Sequence, residues 1–300
     1  MKSLVIGASG QVGSLLHASA SEHETCIGTY CHHPSQGLLQ LDLRDGQAVR
    51  EIIHDLGPEI YYMPGALTAV DYAETHGAEC RNINVDGVLL VAEAVAEVGG
   101  VLVFFSTEHV FGESSRPWTE DDVPCPQSVY AKSKAEAEQI VQEILPNRHL
   151  ILRTSWVFGP DPQEKNFVYR VRHTLERRDR LMVPSDQFGQ PTYGPDLART
   201  ARALVRRRAR GIFHVVGPEC LSRVEWAVTI AKALDLPDHL IEGRPTVDLR
   251  LAAPRPLQIQ LDRSKLLSFF GHDPIRPPGE GVISQELDKN NEPVAAGTER

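Results

Sequence analysis

A chain of 300 residues has room for one large domain, or a main domain with a smaller one. With 41% hydrophobic and 24% charged residues it has the composition of an ordinary soluble globular protein. A formal net charge of −9 argues against general nucleic-acid binding, and no apolar run reaches the roughly 18–20 residues that would span a membrane.

Met1-Lys2 leads straight into Ser3-Leu4-Val5-Ile6 and a glycine, which suits a buried strand rather than a secretory leader. A cytoplasmic location is therefore expected. Short apolar runs then alternate with helical stretches. Strands are expected at Ser3–Ile6, Thr25–Tyr30, Leu38–Leu43, Glu59–Met63, Val101–Phe105 and His149–Arg153. Helices are expected at Gln11–Ser19, Gly46–Leu56, Ala78–Val98 and Ser128–Ile144. Nearly continuous apolar strands between helices imply an α/β fold, a Rossmann-type doubly wound parallel sheet covered on both faces. After Arg153 the pattern loosens. Asn166–Arg177, Pro195–Val205 and Ser222–Leu234 read as helices and Gly211–Val216 as a strand, before Pro/Arg-rich irregular sequence through Pro278.

This organisation predicts a cofactor domain of residues 1–155 joined by about 193–217, and a smaller C-terminal lobe of 156–192 and 218–285. Residues 286–300 are expected to form a flexible tail. The five cysteines include no C-x-x-C pair and the twelve histidines show no metal-ligand spacing, so reduced thiols and no metal centre are expected.

The segment Gly7-Ala8-Ser9-Gly10-Gln11-Val12-Gly13 closes the first strand and opens a helix. In a dinucleotide-binding loop the first glycine permits a tight turn. The second lets backbone approach a pyrophosphate, and the third lets helix and strand pack closely. The helix N-terminus offers free N–H groups and a positive dipole end to the phosphates. The second strand ends Thr29-Tyr30-Cys31-His32-His33, without the acid that usually bonds the ribose 2′-hydroxyl of NAD. His32 and His33 either accept a 2′-phosphate or are simply exposed. The reading leans to NADPH, with NAD left open.

Tyr130 and Lys134 stand four apart at the start of a helix and so share one face. An ammonium beside a phenol favours the phenolate, so a lowered phenol pKa is expected. Ser106-Thr107 follow the strand Val101–Phe105, which places the Thr107 hydroxyl at the mouth of the cleft. A hydroxyl, a phenol and a lysine suffice to polarise a carbonyl, protonate the developing alkoxide and hold a nicotinamide ribose.

The G-x-x-G-x-x-G loop (Gly7, Gly10, Gly13) with the Y-x-x-x-K dyad resembles the extended short-chain dehydrogenase/reductases. Within them the chain is most similar to the dTDP-4-dehydrorhamnose reductase family. The matching segments are Thr68-Ala69-Val70-Asp71-Tyr72-Ala73-Glu74, Ser106-Thr107 with Val110-Phe111, Arg153-Thr154-Ser155-Trp156-Val157-Phe158, Asp186 to Thr192, Asp196-Leu197-Ala198 and Arg255-Pro256. The resemblance implies reduction of the 4-keto group of a nucleotide-linked deoxysugar by NADPH. Tyr130 would supply the proton, Lys134 would support it and bind the ribose, and Thr107 would hydrogen-bond the carbonyl. Beside the loop residues Gly7, Ser9, Gly10, Gln11, Val12 and Gly13, it places Asp42 and Leu43 at the adenine. Gly65 and Ala66 fall beside the dinucleotide and Val157 near the nicotinamide. Thr107, His109, Trp156, Asn166 and Gln190 are the implied sugar-nucleotide contacts. No Mg²⁺ ligand cluster matches, and a homodimer is left open.

The chain departs from the family's Ser-Thr-Asp-Tyr-Val-Phe at Glu108 and His109, and from its Asn-Ala-Ala at Pro64-Gly65-Ala66. Two alternatives therefore stand beside the reductase. One is a non-catalytic NADP-binding regulatory subunit resembling the β subunit of methionine adenosyltransferase. The other is a nucleotide-sugar epimerase or dehydratase. The acidic run Glu120, Asp121 and Asp122 is expected to be a solvated stretch.

Overall fold

The computed structural model describes residues 1–291. In chain order, β1 (Lys2–Val5), α1 (Gln11–Ala18), β2 (Thr25–Tyr30), β3 (Leu39–Gln40), α2 (Gly46–Leu56) and β4 (Ile60–Met63) lead into three short helices. These are α3 (Val70–Thr75), α4 (Gly77–Arg81) and α5 (Gly87–Glu97). Then come β5 (Val101–Thr107), α6 (Val129–Ile144), β6 (His149–Thr154), β7 (Val157–Phe158), α7 (Phe167–Glu176), β8 (Leu181–Pro184), β9 (Phe188–Gly189) and β10 (Thr192–Tyr193). The last part holds α8 (Gly194–Arg206), β11 (Gly211–His214), β12 (Leu221–Ser222), α9 (Arg223–Ala233), β13 (Ile241–Arg244), α10 (Ser264–Phe270) and α11 (Pro278–Asn291).

Seven strands form one sheet in the order β11-β6-β5-β4-β1-β2-β3, and every pair in it is parallel. This is the doubly wound Rossmann arrangement with one added strand, and its direction of winding reverses between β1 and β4. The period-2 pleat sorts side chains onto the two faces. Tyr61, Met63, Leu102 and Phe104 join a core with Val49 and Ile53 of α2, Val91 and Val95 of α5 and Val141 of α6. Tyr62, Val103 and Phe105 face the other way, onto Leu16 of α1 and Leu197, Ala201 and Leu204 of α8. A third core lies off the sheet, among Val171 and Leu175 of α7, Val183 of β8, Trp226 and Ile230 of α9, and Val282 of α11.

The helices begin where side chains satisfy free N–H groups. Asp45 accepts from Gln47 and Ala48 at 3.1 Å each, Ser128 from Ala131, and Asn166 from Val168. Ser222 and Glu225 form a capping box at α9. Buried Glu138 of α6 and Arg153 of β6 pair at 2.7 Å, fastening helix to sheet.

Several expectations are corrected. The single helix Ala78–Val98 is interrupted by a π-helical turn at Asn82–Asp86. That wider turn carries Asn84 inward, where Oδ1 accepts from the Leu67 N–H at 2.8 Å and Nδ2 donates to the Leu67 carbonyl at 2.9 Å and to Ser133 Oγ at 3.1 Å. The strand Leu38–Leu43 shrinks to the exposed edge pair Leu39–Gln40, which meets only Thr29 and Tyr30. Residues 286–291 of the expected tail belong to α11, and 292–300 lie outside the described residues. The acidic run is engaged rather than merely solvated. Glu120 accepts from the His214 N–H at 2.9 Å, and Asp122 binds Arg116 and Thr119.

Candidate functional site

The glycine loop sits at the carboxyl end of β1, where the sheet's winding reverses. Gly7 has φ +92°, open to glycine and strained for other residues. A Cβ on Gly13 would stand 2.0 Å from the Gly7 carbonyl oxygen, so only glycine lets α1 lie this close to the strand end. Gly10 caps α1 without any side-chain bond to the free N–H groups, and no acid occupies the first turn. Those donors and the dipole end suit a phosphate. A Cβ on Gly7 would come within 2.8 Å of Gly65 Cα, so the turns after β1 and β4 meet here. Ser9, Gln11, Val12 and Ala66 are half-buried around this junction, and the Gln11 amide nitrogen is buried without a partner.

At the end of β2, His32 and His33 are exposed, and His32 Nε2 lies 3.5 Å from Cys31 Sγ. Leu43 is buried. The Asp42 carboxylate is gripped by Arg44 at 2.6 Å, which holds it below the usual carboxylate range. Sequence reasoning missed Arg44, a cation whose charge reaches Cys31 on the rim of β2. Its only sequence signal is its place two residues after Asp42.

Thr107 closes β5, and its hydroxyl hydrogen-bonds the Tyr130 side chain. Both are buried, at 8% and 7% exposure. The expected lowering of the phenol pKa does not occur in this structure. Burial pushes Tyr130 up to about 12 against the Thr107 hydrogen bond. Lys134 donates to the Phe105 carbonyl oxygen at 2.7 Å and lies over the Phe104 ring at 3.9 Å. Burial brings its own ammonium down to about 7. At neutral pH the Tyr130 phenol is thus protonated.

Next to this pair lies a pocket lined by Glu108, His109, Trp156, Gln187, Phe188, Arg223, Arg255, Pro256 and Ile259. The His109 ring meets Tyr130 edge-on at 6.3 Å. Burial holds its imidazole at about 4, hence neutral, and its Nδ1 has no partner. Burial raises Glu108 to about 7 despite its Ser155 hydrogen bond, and its Oε2 is also unpartnered. Trp156 has φ +40°, an uncommon conformation for an aromatic residue. Its ring lies so close to Gly189 that a Cβ there would fall within 2.4 Å of it. Arg255 is tethered to Asp71 of α3 at 2.6 Å.

Two implied contacts are spent elsewhere. Gln190 is 1% exposed, its Nε2 donates to the carbonyls of Gly217 and Leu261, and its Oε1 accepts from the Leu261 N–H. It ties chain segments together instead of facing the pocket. Asn166 caps α7 and donates to the Gly159 carbonyl at 2.9 Å. Val157 is half-buried in β7. The pocket residues that sequence reasoning did not assign to the site are Glu108, Gln187, Phe188, Arg223, Arg255, Pro256 and Ile259. Glu108 stood out only as a departure from a motif. Arg223, at the start of a helix far along the chain, carried no signal.

The RmlD substrate binding domain model matches residues 1–277. A dTDP-4-dehydrorhamnose reductase of Aggregatibacter actinomycetemcomitans is 32% identical over 283 residues, covering 90% of this chain and 94% of that protein. The β subunit of methionine adenosyltransferase 2 from Pongo abelii is 30% identical over 273 residues, covering 88% of this chain and 80% of that protein. The solved dTDP-4-dehydrorhamnose reductase of Bacillus anthracis in complex with NADP has a TM-score of 0.88 at 28% identity, over 96% of this chain and 99% of that one. The glycine cradle, the Thr107–Tyr130–Lys134 constellation and these matches agree: the chain belongs to the RmlD substrate binding domain family, among the extended short-chain dehydrogenase/reductases.

Proposed function

We propose that this protein is a cytoplasmic NADPH-dependent reductase of the 4-keto group of a nucleotide-linked deoxysugar. The observation that carries the reading is the buried Thr107–Tyr130 hydrogen bond at the carboxyl end of β5, one strand away from the β1/β4 cradle. Residues 1–155 with about 193–217 hold the cofactor, and 156–192 with 218–285 supply the other wall of the substrate site. Gly7, Ser9, Gly10, Gln11, Val12 and Gly13 cradle the pyrophosphate. Asp42, Leu43, Gly65, Ala66 and Val157 flank the rest, with His32, His33 and Arg44 toward a 2′-phosphate. When bound, the cofactor supplies hydride to C4.

Thr107 and the Tyr130 phenol together donate hydrogen bonds to the ketone oxygen, and Tyr130 passes its proton to that oxygen as charge develops. Lys134, released from the Phe105 carbonyl, binds the ribose and steadies the phenol. His109 and Trp156 contact the sugar nucleotide.

Incubation with dTDP-4-keto-6-deoxy-L-mannose and NADPH tests the reading, with NADPH absorbance expected to fall as the sugar is reduced. Comparing kcat/KM for NADPH and NADH tests the cofactor preference, and a clear NADH preference would refute it. The regulatory-subunit reading is favoured by the Pongo abelii relative and by Lys134 being bonded to the Phe105 carbonyl oxygen and not to Tyr130. Tight NADPH binding without oxidation by this or related keto sugars would select it. An epimerase or dehydratase recycles its nicotinamide, so net NADPH consumption argues against both.

A further inference from the structure

Arg223 is the first residue of α9, and its guanidinium reaches into the pocket beside Glu108 and His109. It stacks on the Trp156 ring at 3.4 Å and lies 4.9 Å from the Phe167 ring. Among the described residues this guanidinium makes no hydrogen bond and no ion pair. Arg223 is half-buried, so its guanidinium is partly desolvated yet still open to the pocket, where an anionic partner would offset that desolvation. The charged groups facing it are Glu108, Arg255 and Arg170. Asp71 already matches Arg255, and the Arg170 guanidinium is turned to the Met182 carbonyl oxygen. Glu108 alone faces Arg223 with opposite charge, and burial keeps that carboxyl near half-protonated at neutral pH. The pocket therefore carries excess positive charge, held on a planar fork whose orientation is set by an aromatic platform. Such a fork matches the paired oxygens of a phosphate or carboxylate. The strained backbone of Trp156 and the close fit of its ring on Gly189 fix that platform in place.

We propose that Arg223, with Arg255 beside it, is the anion-recognition element of this pocket and takes the diphosphate of a nucleotide sugar. The assignment rests on the nucleotide-sugar reading above and adds which residues of this chain bind the linking group. Glu108 Oε2 and His109 Nδ1, both unpartnered, remain to meet sugar hydroxyls.

The test uses the full chain saturated with NADP⁺ and titrated with dTDP, dTMP and thymidine by calorimetry. Affinity is expected to fall in that order. Arg223→Met should weaken dTDP at least about tenfold, the scale of a charge-assisted hydrogen bond, while thymidine and NADP⁺ affinities stay as in the parent. Arg223→Lys should recover only part of the loss, because a point charge lacks the planar fork. Equal losses for thymidine and dTDP would overturn the assignment by showing a structural role. Unchanged dTDP affinity, with a uronate-bearing sugar nucleotide alone weakened, would also overturn it by moving the anion to a sugar carboxylate. These readouts need no turnover. Arg223-dependent dTDP binding without any keto-sugar reduction would sink the reductase reading and leave the anion site standing.

Discussion

Tyr130 shows how burial can set a protonation state, with Lys134 turned to the Phe105 carbonyl oxygen instead of the phenol. Adjacency on α6 suggested an activated phenolate, yet desolvation dominates and leaves a protonated phenol at neutral pH. Tyr130→Phe keeps the ring and removes the proton, so kcat should fall at least ~10²-fold, the scale of general acid catalysis. The NADPH dissociation constant should hardly move. Near-normal turnover in stopped-flow assays would refute the assigned role. Glu108 has a second, thermodynamic signature. Its carboxyl binds a proton at about 7 in the fold and about 4.5 when unfolded. Between those values the native state holds more protons, so stability from this group is complete below pH 4.5 and is lost as pH rises through 7. Glu108→Gln removes that dependence. Its stability relative to the parent should climb across this window, on the order of 1–3 kcal/mol, and then level off. A difference in urea midpoints that stays flat with pH would contradict a buried, protonatable Glu108.

At the scale of elements, the parts that were legible in sequence are those with local signals. The helices expected to begin at Ser128, Asn166 and Ser222 do begin there, each capped by that residue. The inner strands of the central sheet were legible because burial on both faces requires continuous apolar runs, whereas the exposed edge strand β3 was not. The π turn at Asn82–Asp86 was not, since it goes with the contacts of Asn84 to Leu67 and Ser133, which come from distant segments. The two-residue strands β7, β9, β10 and β12 are too short to have a period at all. Contact between α1 and the end of β1 leads to a direct prediction. Gly13→Ala drives a methyl against the Gly7 carbonyl, a clash with backbone that no rotamer relieves. It should cost about 1–3 kcal/mol of stability and weaken NADPH binding at least tenfold, measured by urea unfolding and by nicotinamide fluorescence. Unchanged binding would mean that the loop adjusts freely.

At the scale of the molecule, the pocket exists because remote stretches of the chain converge. Glu108 and His109 follow the carboxyl end of β5, Trp156 comes from the turn after β6, Gln187 and Phe188 from around β9, and Arg223 and Arg255 from the C-terminal part. The Asp71–Arg255 pair joins α3 to that last stretch, and the same carboxylate accepts from the Ala253 N–H at 2.9 Å. Asp71→Ala should free Arg255 and raise KM for the sugar nucleotide about tenfold, the worth of a charged hydrogen bond. NADPH affinity should be unchanged, because Asp71 lies outside the glycine cradle. A parallel loss of NADPH affinity would show that Asp71 supports the whole fold and not the pocket alone.

The glycine loop, the Y-x-x-x-K dyad and the alternation of strands and helices are local patterns, and they sufficed to predict the fold class from sequence alone. Their spacing along the chain equals their spacing in a helix or turn, so no long-range information was needed. Protonation states and pocket partners were decided only in three dimensions. Burial set the charge of Tyr130, Lys134, His109 and Glu108. Gln190 was drawn into backbone bonds with Leu261, and Arg223 was brought onto Trp156. Desolvation and convergence of distant segments depend on what surrounds a residue, and its neighbours in sequence do not specify that.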